Sequence, residues 1–258
     1  MKTSLLATAA AAAIALMATS AQAQVVGHVG ANYARTVVDI DGPNPDLDNY
    51  QVEGAAGFKV GGLNALVDGT VTNIGGDVND QVDFAFTGHL NANLGNSLVG
   101  GFFGVNATED LTVWALGAEG QTNLNEQFTL YGQATLGYSD ELNDAFIYGL
   151  RAEARYFVNE NVKLQGQAGW TKVDTDDFGS ADVWTVGAEG EYQFAGTPWS
   201  ILAGYDYADA DGDYKSHTFR IGGRYTFGGA TLKQRNDSGA DFSSIRKLLP
   251  GLNEANAF

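Results

Sequence analysis

Phe146-Ile147-Tyr148-Gly149-Leu150-Arg151-Ala152-Glu153-Ala154-Arg155-Tyr156 decides the fold. Phe146, Tyr148, Leu150, Ala152, Ala154 and Tyr156 take every second position, and Arg151, Glu153 and Arg155 fall between them. Successive side chains of a strand point to opposite faces, so these residues make one apolar row and one charged row. A helix would mix the two sets around its circumference.

The same alternation recurs along the chain. Phe128, Leu130, Gly132, Ala134, Leu136 and Tyr138 alternate with Thr129, Tyr131, Gln133 and Thr135. Val162 to Trp170 alternates with Lys163, Gln165 and Gln167; Trp184 to Phe194 with Thr185, Glu189, Glu191 and Gln193; Phe219 to Phe227 with Thr218, Arg220, Arg224 and Thr226. Less regular strands are expected near residues 25–36, 50–60, 64–74, 82–93, 97–106 and 111–119, and one more carries Trp199, Ile201, Ala203, Tyr205 and Tyr207 over 199–207. The total is twelve, an even number that lets an antiparallel sheet close. Nearly every strand has one apolar and one polar row. A soluble sandwich would turn its apolar rows to a common core, whereas a transmembrane barrel turns them to lipid and keeps a wet lumen. The expected fold class is therefore all-β, an antiparallel transmembrane β-barrel.

The connections fall into two alternating classes. Gly61-Gly62-Leu63-Asn64, Leu94-Gly95-Asn96-Ser97, Val158-Asn159-Glu160-Asn161 and Ala195-Gly196-Thr197-Pro198 are short and weakly charged. The others gather Asp39 to Asp48, Asp77 and Asp80, Glu109 and Asp110, Asp140 to Asp144, Asp174 to Asp182, and Asp209 to Asp213. Eighteen of the 31 acidic residues thus collect at one rim. Short turns on the periplasmic side and acidic loops outside put both chain ends in the periplasm. Trp114, Trp170, Trp184, Tyr50 and Tyr138 fall near the acidic ends of their strands. Trp199, Tyr156, Tyr192, Phe194, Tyr225, Phe227 and Phe128 fall near the other ends, as two interfacial belts would require.

Export explains the first residues. Met1-Lys2-Thr3, the alanine-rich run from Leu5 to Met17 and Ala21-Gln22-Ala23 have the pattern expected of a signal peptide over 1–23. The run is too short for the alternative, a membrane anchor. The barrel is then expected over 24–227 and a periplasmic tail over 228–258. The chain has no cysteine, so disulfide scaffolds and thiolate metal sites are excluded. A net charge of -17 without a basic patch argues against nucleic acid.

Arg224-Tyr225-Thr226-Phe227 resembles the closing strand of bacterial porins and porin-like outer-membrane proteins. The resemblance implies a Gram-negative cell outer membrane, recognition of the final aromatic by the barrel-assembly machinery, lipid and lipopolysaccharide as surroundings, and no cofactor. In that family the signature ends the chain, whereas residues 228–258 follow here, finishing on Phe258. Ser244 to Leu249 has the pattern of a helical turn or two before Pro250. The tail is expected to lie loosely in the periplasm; insertion into the lumen or docking on a partner are the alternatives.

Twelve strands enclose more space than the eight whose interior side chains can fill, so a solute channel is expected. Its pore-lining row would contain Glu53, Lys59, Asp83, His89, Glu119, Arg151, Glu153, Arg155, Lys163, Glu189, Glu191, Arg220 and Arg224. These charges would hydrate a pore for small hydrophilic solutes, with the acidic rim favouring cations. The competing reading pairs Arg151, Arg155, Arg220 and Arg224 with Glu153, Glu189 and Glu191 as a closed network, giving a structural or adhesive barrel. Asp209-Ala210-Asp211-Gly212-Asp213 opens like a calcium loop but lacks the later ligands, and looser cation bridging to lipopolysaccharide suits it better. No metal site or enzyme is expected: His28, His89 and His217 stand on separate strands, and Ser200 lies far from His217 on the opposite row.

Overall fold

In the computed structural model, residues 25–40, 44–76, 81–175, 179–211 and 214–248 are described. Twelve strands occupy them: β1 (Val26–Asp39), β2 (Asp46–Val60), β3 (Leu63–Gly76), β4 (Gln81–Leu94), β5 (Ser97–Ala107), β6 (Thr112–Asn123), β7 (Phe128–Ser139), β8 (Ala145–Asn159), β9 (Val162–Thr175), β10 (Gly179–Gln193), β11 (Trp199–Ala210) and β12 (Tyr214–Phe227). Each pairs antiparallel with its sequence neighbours, and β12 returns to β1 from Gly27 opposite Phe227 to Asp39 opposite Lys215. Closure leaves neither β1 nor β12 as a free edge strand. All twelve expected strands are present. Residues 1–24, including the expected signal peptide, lie outside the described residues.

Turns at 61–62, 95–96, 124–127, 160–161 and 194–198 lie at one end, and the acidic connections at the other. Gly61 and Gly95 open two-residue turns at φ 62° and 66°, which a side chain would disfavour. The acidic connections are barely longer than the turns, because the strands themselves run on. β2 starts at Asp46, β10 at Gly179 and β12 at Tyr214, four or five residues before the alternation of apolar residues begins.

That extra length has an inverted polarity. In the lower part of β2, Val52 faces out and Glu53 in; nearer the acidic end Asp46 and Asp48 face out while Leu47 is fully buried inside. β1 changes from Val29 outside and Asn32 inside to Arg35 and Asp39 outside and Val38 inside. On β9, Leu164 outside and Lys163 inside give way to Lys172 and Asp174 outside and Val173 inside. About ten residues cross the bilayer when tilted, so strands of 14 or 15 residues project beyond it. Below the crossover the barrel is built for lipid, and above it for water. Ring pairs mark the boundary: Tyr33–Tyr50, Phe103–Trp114, Tyr138–Phe146 and Trp170–Trp184 above, Phe128–Tyr156, Tyr192–Phe194 and Trp199–Tyr225 below. Between the belts the wall is apolar throughout, with Val52 and Ile221 each 63 % exposed, a surface that only lipid or a partner can cover.

The crossover predicts a position-dependent tolerance for charge. Ala134 faces out midway between Phe128 and Tyr138, and Ala134→Arg should destabilise the assembled barrel by about 2–4 kcal/mol. Asp174→Arg, opposite Phe146 at the level of the upper belt, should cost no more than ~1 kcal/mol. Heat-modifiability on gels reads both, and equal tolerance would contradict the assignment of the lipid band.

Candidate functional site in the barrel lumen

The expected wet, open lumen is not what the barrel contains. After Phe227, Gly228 and Gly229, at φ 86° and 69°, turn the chain back across the short-turn mouth. Thr231 then caps a helix, α1 (Leu232–Asp237), with its hydroxyl accepting from Gln234 N at 3.3 Å and its own N–H donating to the Gln234 side chain at 3.0 Å. This reciprocal box satisfies two otherwise unpaired donors. Lys233 N donates to Glu160 O, 3.2 Å away in the β8–β9 turn, which fixes α1 at that end. The segment next rises past Phe242 to a 3₁₀ turn at Ile245–Leu248, where Arg246 Nε reaches Asp83 Oδ2 at 2.7 Å, two residues from the acidic end of β4. Residues 231–248 therefore traverse the lumen from one end to the other. The tail expected below the barrel is instead inside it, while residues 249–258 lie outside the described residues.

Complementary chemistry holds it there. Arg235 is fully buried, with Nη2 2.7 Å from Glu191, Nη1 2.9 Å from the Thr226 hydroxyl and Nε 2.6 Å from Asp241. Asp241 also meets Lys163 Nζ at 3.4 Å. Phe242 packs on Tyr131 and His89, with ring centroids 5.1 and 6.0 Å away. The Ser243 hydroxyl donates to Glu153. Ile245 is fully buried among Phe102, Leu111, Val113, Ala115 and Ile147.

Twelve of the thirteen residues expected on the pore row do face inward beside this segment. Glu153 is a hub, accepting from Arg151 Nε at 2.8 Å and Arg155 Nη2 at 2.7 Å. Glu191 accepts from Arg224 at 2.9 Å and Ser200 at 2.8 Å, and lies 3.1 Å from Lys163 Nζ. Arg224 also reaches Glu53 at 2.5 Å, and Arg220 lies 3.2 Å from both Glu189 and Asp206. His89 spans Glu119 at 2.9 Å and Asp68 at 2.8 Å, and Tyr131 donates to Glu119 at 2.8 Å. Lys59 departs from the group: it sits exposed two residues before the β2–β3 turn, at the mouth. The arrangement is the closed network weighed against a pore lining, extended by a segment that had been placed elsewhere.

Several members were missed. Asp68 and Asp206 lie on polar rows that alternate with Val67 and with Tyr205 and Tyr207, so the same periodicity points to them. Gln133 stands on the polar row with Thr129 and Tyr131, and Gln121 follows Glu119 by two residues just past the expected strand, whereas the tail residues carry no such signal. Ser200 faces in toward Glu191 and His217 faces out to the Tyr205 hydroxyl at 2.8 Å, so they share no site. Among the described residues no group of three or more His, Cys, Asp or Glu is arranged to hold a metal. Of the Asp209–Asp213 stretch, Gly212 and Asp213 lie outside the described residues; Asp209 accepts from Tyr207 at 2.8 Å and Asp211 from Asp182 N at 3.0 Å.

Small polar cavities lie between the segment and the wall. One of about 60 Å³ touches His28, Glu53, Asp68 and Arg224, and one of about 80 Å³ touches Asp206, Arg220 and Arg246; Lys247 borders both. Each has room for a few waters and none for a hydrated solute.

No protein-family model matches the chain, and no curated protein matches it. Solved structures do. A KdgM porin in complex with disordered oligogalacturonate aligns at a TM-score of 0.54 and 8% identity, over 77% of this chain and 99% of the porin. The translocator domain of the autotransporter NalP from Neisseria meningitidis aligns at 0.50 and 13% identity, over 88% of this chain and 96% of that domain. At such identities the likeness is one of fold: the chain is a closed twelve-stranded antiparallel barrel of the bacterial outer-membrane type.

Proposed function

We propose that the protein is an outer-membrane barrel of the channel type, held shut by its own C-terminal segment. In this reading passive diffusion of small hydrophilic solutes belongs to the state in which residues 231–248 have left the lumen. The observation that carries it is the filling of the lumen from Thr231 at one mouth to Ile245 and Arg246 near the other. Charge supports a cation preference once the segment is out. With the histidines and the mouth residue Lys59 set aside, the wall carries eight carboxylates (Glu53, Asp68, Asp83, Glu119, Glu153, Glu189, Glu191, Asp206) against five bases (Arg151, Arg155, Lys163, Arg220, Arg224), a surplus of three negative charges. The inserted segment opposes it with Lys233, Arg235, Arg246 and Lys247 against Asp237 and Asp241, a surplus of two positive charges. The acidic rim, which this reading puts at the cell exterior beside lipopolysaccharide, would add to the same preference.

Planar-bilayer recording tests this. Full-length protein should be silent, and should show reproducible steps with a cation-selective reversal potential at urea concentrations that leave the heat-modifiable barrel intact. Open steps without urea would sink the closed reading. Silence after the segment has demonstrably become protease-sensitive would favour a structural or adhesive barrel, a reading that the ion pairs of Glu153, Glu189 and Glu191 along the wall also support.

A further inference from the structure

Four wall side chains grip the inserted segment by its backbone. Gln121 Nε2 donates to Asn236 O at 2.8 Å, Arg155 Nη2 to Asp241 O at 2.9 Å, Gln133 Nε2 to Ser243 O at 3.2 Å and Arg151 Nη1 to Lys247 O at 2.8 Å. These donors come from β6, β7 and β8 and follow the segment over twelve residues, from Asn236 to Lys247. Between them stand separate receptacles: Glu191 for a guanidinium, Lys163 for a carboxylate, Tyr131 and His89 for an aromatic ring, and Asp83 for a second guanidinium. Hydrogen bonds to the main chain combined with separate side-chain pockets are how proteins read a peptide.

Little of this depends on the covalent link. Gly228 and Gly229 are exposed, and a Cβ at Gly229 would meet nothing within 4 Å. They act as a tether, which raises the local concentration of the segment without adding contacts to the lumen.

We propose that the lumen is a peptide-binding site, occupied here by the chain's own residues 230–248, which accepts in trans a peptide that carries arginine on a short helical turn, an aspartate–phenylalanine pair six residues on, and an isoleucine–arginine pair. The inference rests on the closed-lumen reading and adds what the closing element is: an exchangeable ligand recognised by sequence.

The test uses the full-length protein with a protease sequence inserted between Gly229 and Ala230. The barrel is folded in detergent, nicked, and washed in high salt until mass spectrometry shows the fragment gone. Synthetic peptide of residues 230–248 should then lower the open-channel current at least tenfold. Peptides carrying Asp241→Lys or Phe242→Ala should need at least tenfold higher concentration, and a scrambled peptide should leave the current unchanged. Equal block by the scrambled peptide, or no block by the native one, overturns the inference while closure stands. A barrel that remains silent after losing the fragment refutes the closed-lumen reading itself. If the fragment resists washing, isotope-labelled peptide should exchange into the nicked protein; absence of exchange, or loss of the heat-modifiable band as the fragment departs, makes the segment a fixed part of the fold and overturns the proposal.

Discussion

Glu191→Gln should be the most damaging single substitution in the lumen, lowering stability by about 3–5 kcal/mol. The carboxylate is fully buried and meets Arg235 at 2.7 Å, Arg224 at 2.9 Å and Lys163 at 3.1 Å. Glutamine keeps the shape and removes the charge, so three cations are left facing one another where water cannot screen them well. Arg224 retains Glu53, and Arg235 and Lys163 retain Asp241, which keeps the loss within that range. Glu189→Gln provides the comparison: it lies 3.2 Å from Arg220 and 3.6 Å from Arg224 and borders a polar cavity, so its loss should cost about 1 kcal/mol. The readout is the temperature at which the compact gel band disappears. A double-mutant cycle with Arg235→Gln should return a coupling energy of about 1.5–3 kcal/mol, because the two groups share one network. Coupling near zero would mean that the inserted segment is not held through this pair.

What the sequence made legible, and what it hid, divides along the same physical line. Lipid imposes one rule on every strand, so Leu130, Leu164 and Ile221 announce the outer row without knowledge of their neighbours. The inner row is its complement, and twelve of the thirteen named residues were found that way. Above the belts the rule reverses, and Val38, Leu47, Ile74 and Ile147 point inward instead. Strand ends read from apolar alternation therefore stop short, at the water-facing boundary. The tail was unreadable for another reason. Lys233-Gln234-Arg235-Asn236-Asp237-Ser238-Gly239 has the composition of a loop, and its burial depends on Gln121, Arg155, Glu191 and Thr226, supplied by four strands far apart in sequence. Two traces were available: the Thr231–Gln234 capping pair, and a basic surplus in the tail that answers an acidic surplus on the wall.

Those two contributions, polar below and apolar above, make the upper half of the segment separately testable. Ile245→Asp should release it. The isoleucine side chain is fully buried against Phe102, Leu111, Val113, Ala115 and Ile147, and Leu142 and Val173 pack on the same cluster. Truncating a buried isoleucine to alanine costs about 2–5 kcal/mol, and an aspartate adds a carboxylate among apolar side chains. The cheaper outcome is for residues 244–248 to leave the pocket, giving up Arg246 to Asp83 and the Arg151 contact to Lys247 O. Arg235, Asp241 and their wall partners are untouched by the change, so α1 should stay docked at the opposite mouth. The expected result is new protease cleavage confined to 244–248, brief low-conductance steps in a bilayer, and a barrel that still shows heat-modifiability. Ile245→Val, which keeps the pocket nearly full, should cost about 0.5–1.5 kcal/mol and give neither change. If Ile245→Asp remained as protected and as silent as the parent, the apolar pocket would not be what seats the upper segment. Closure would then rest on the charge network around Glu153 and Glu191 alone.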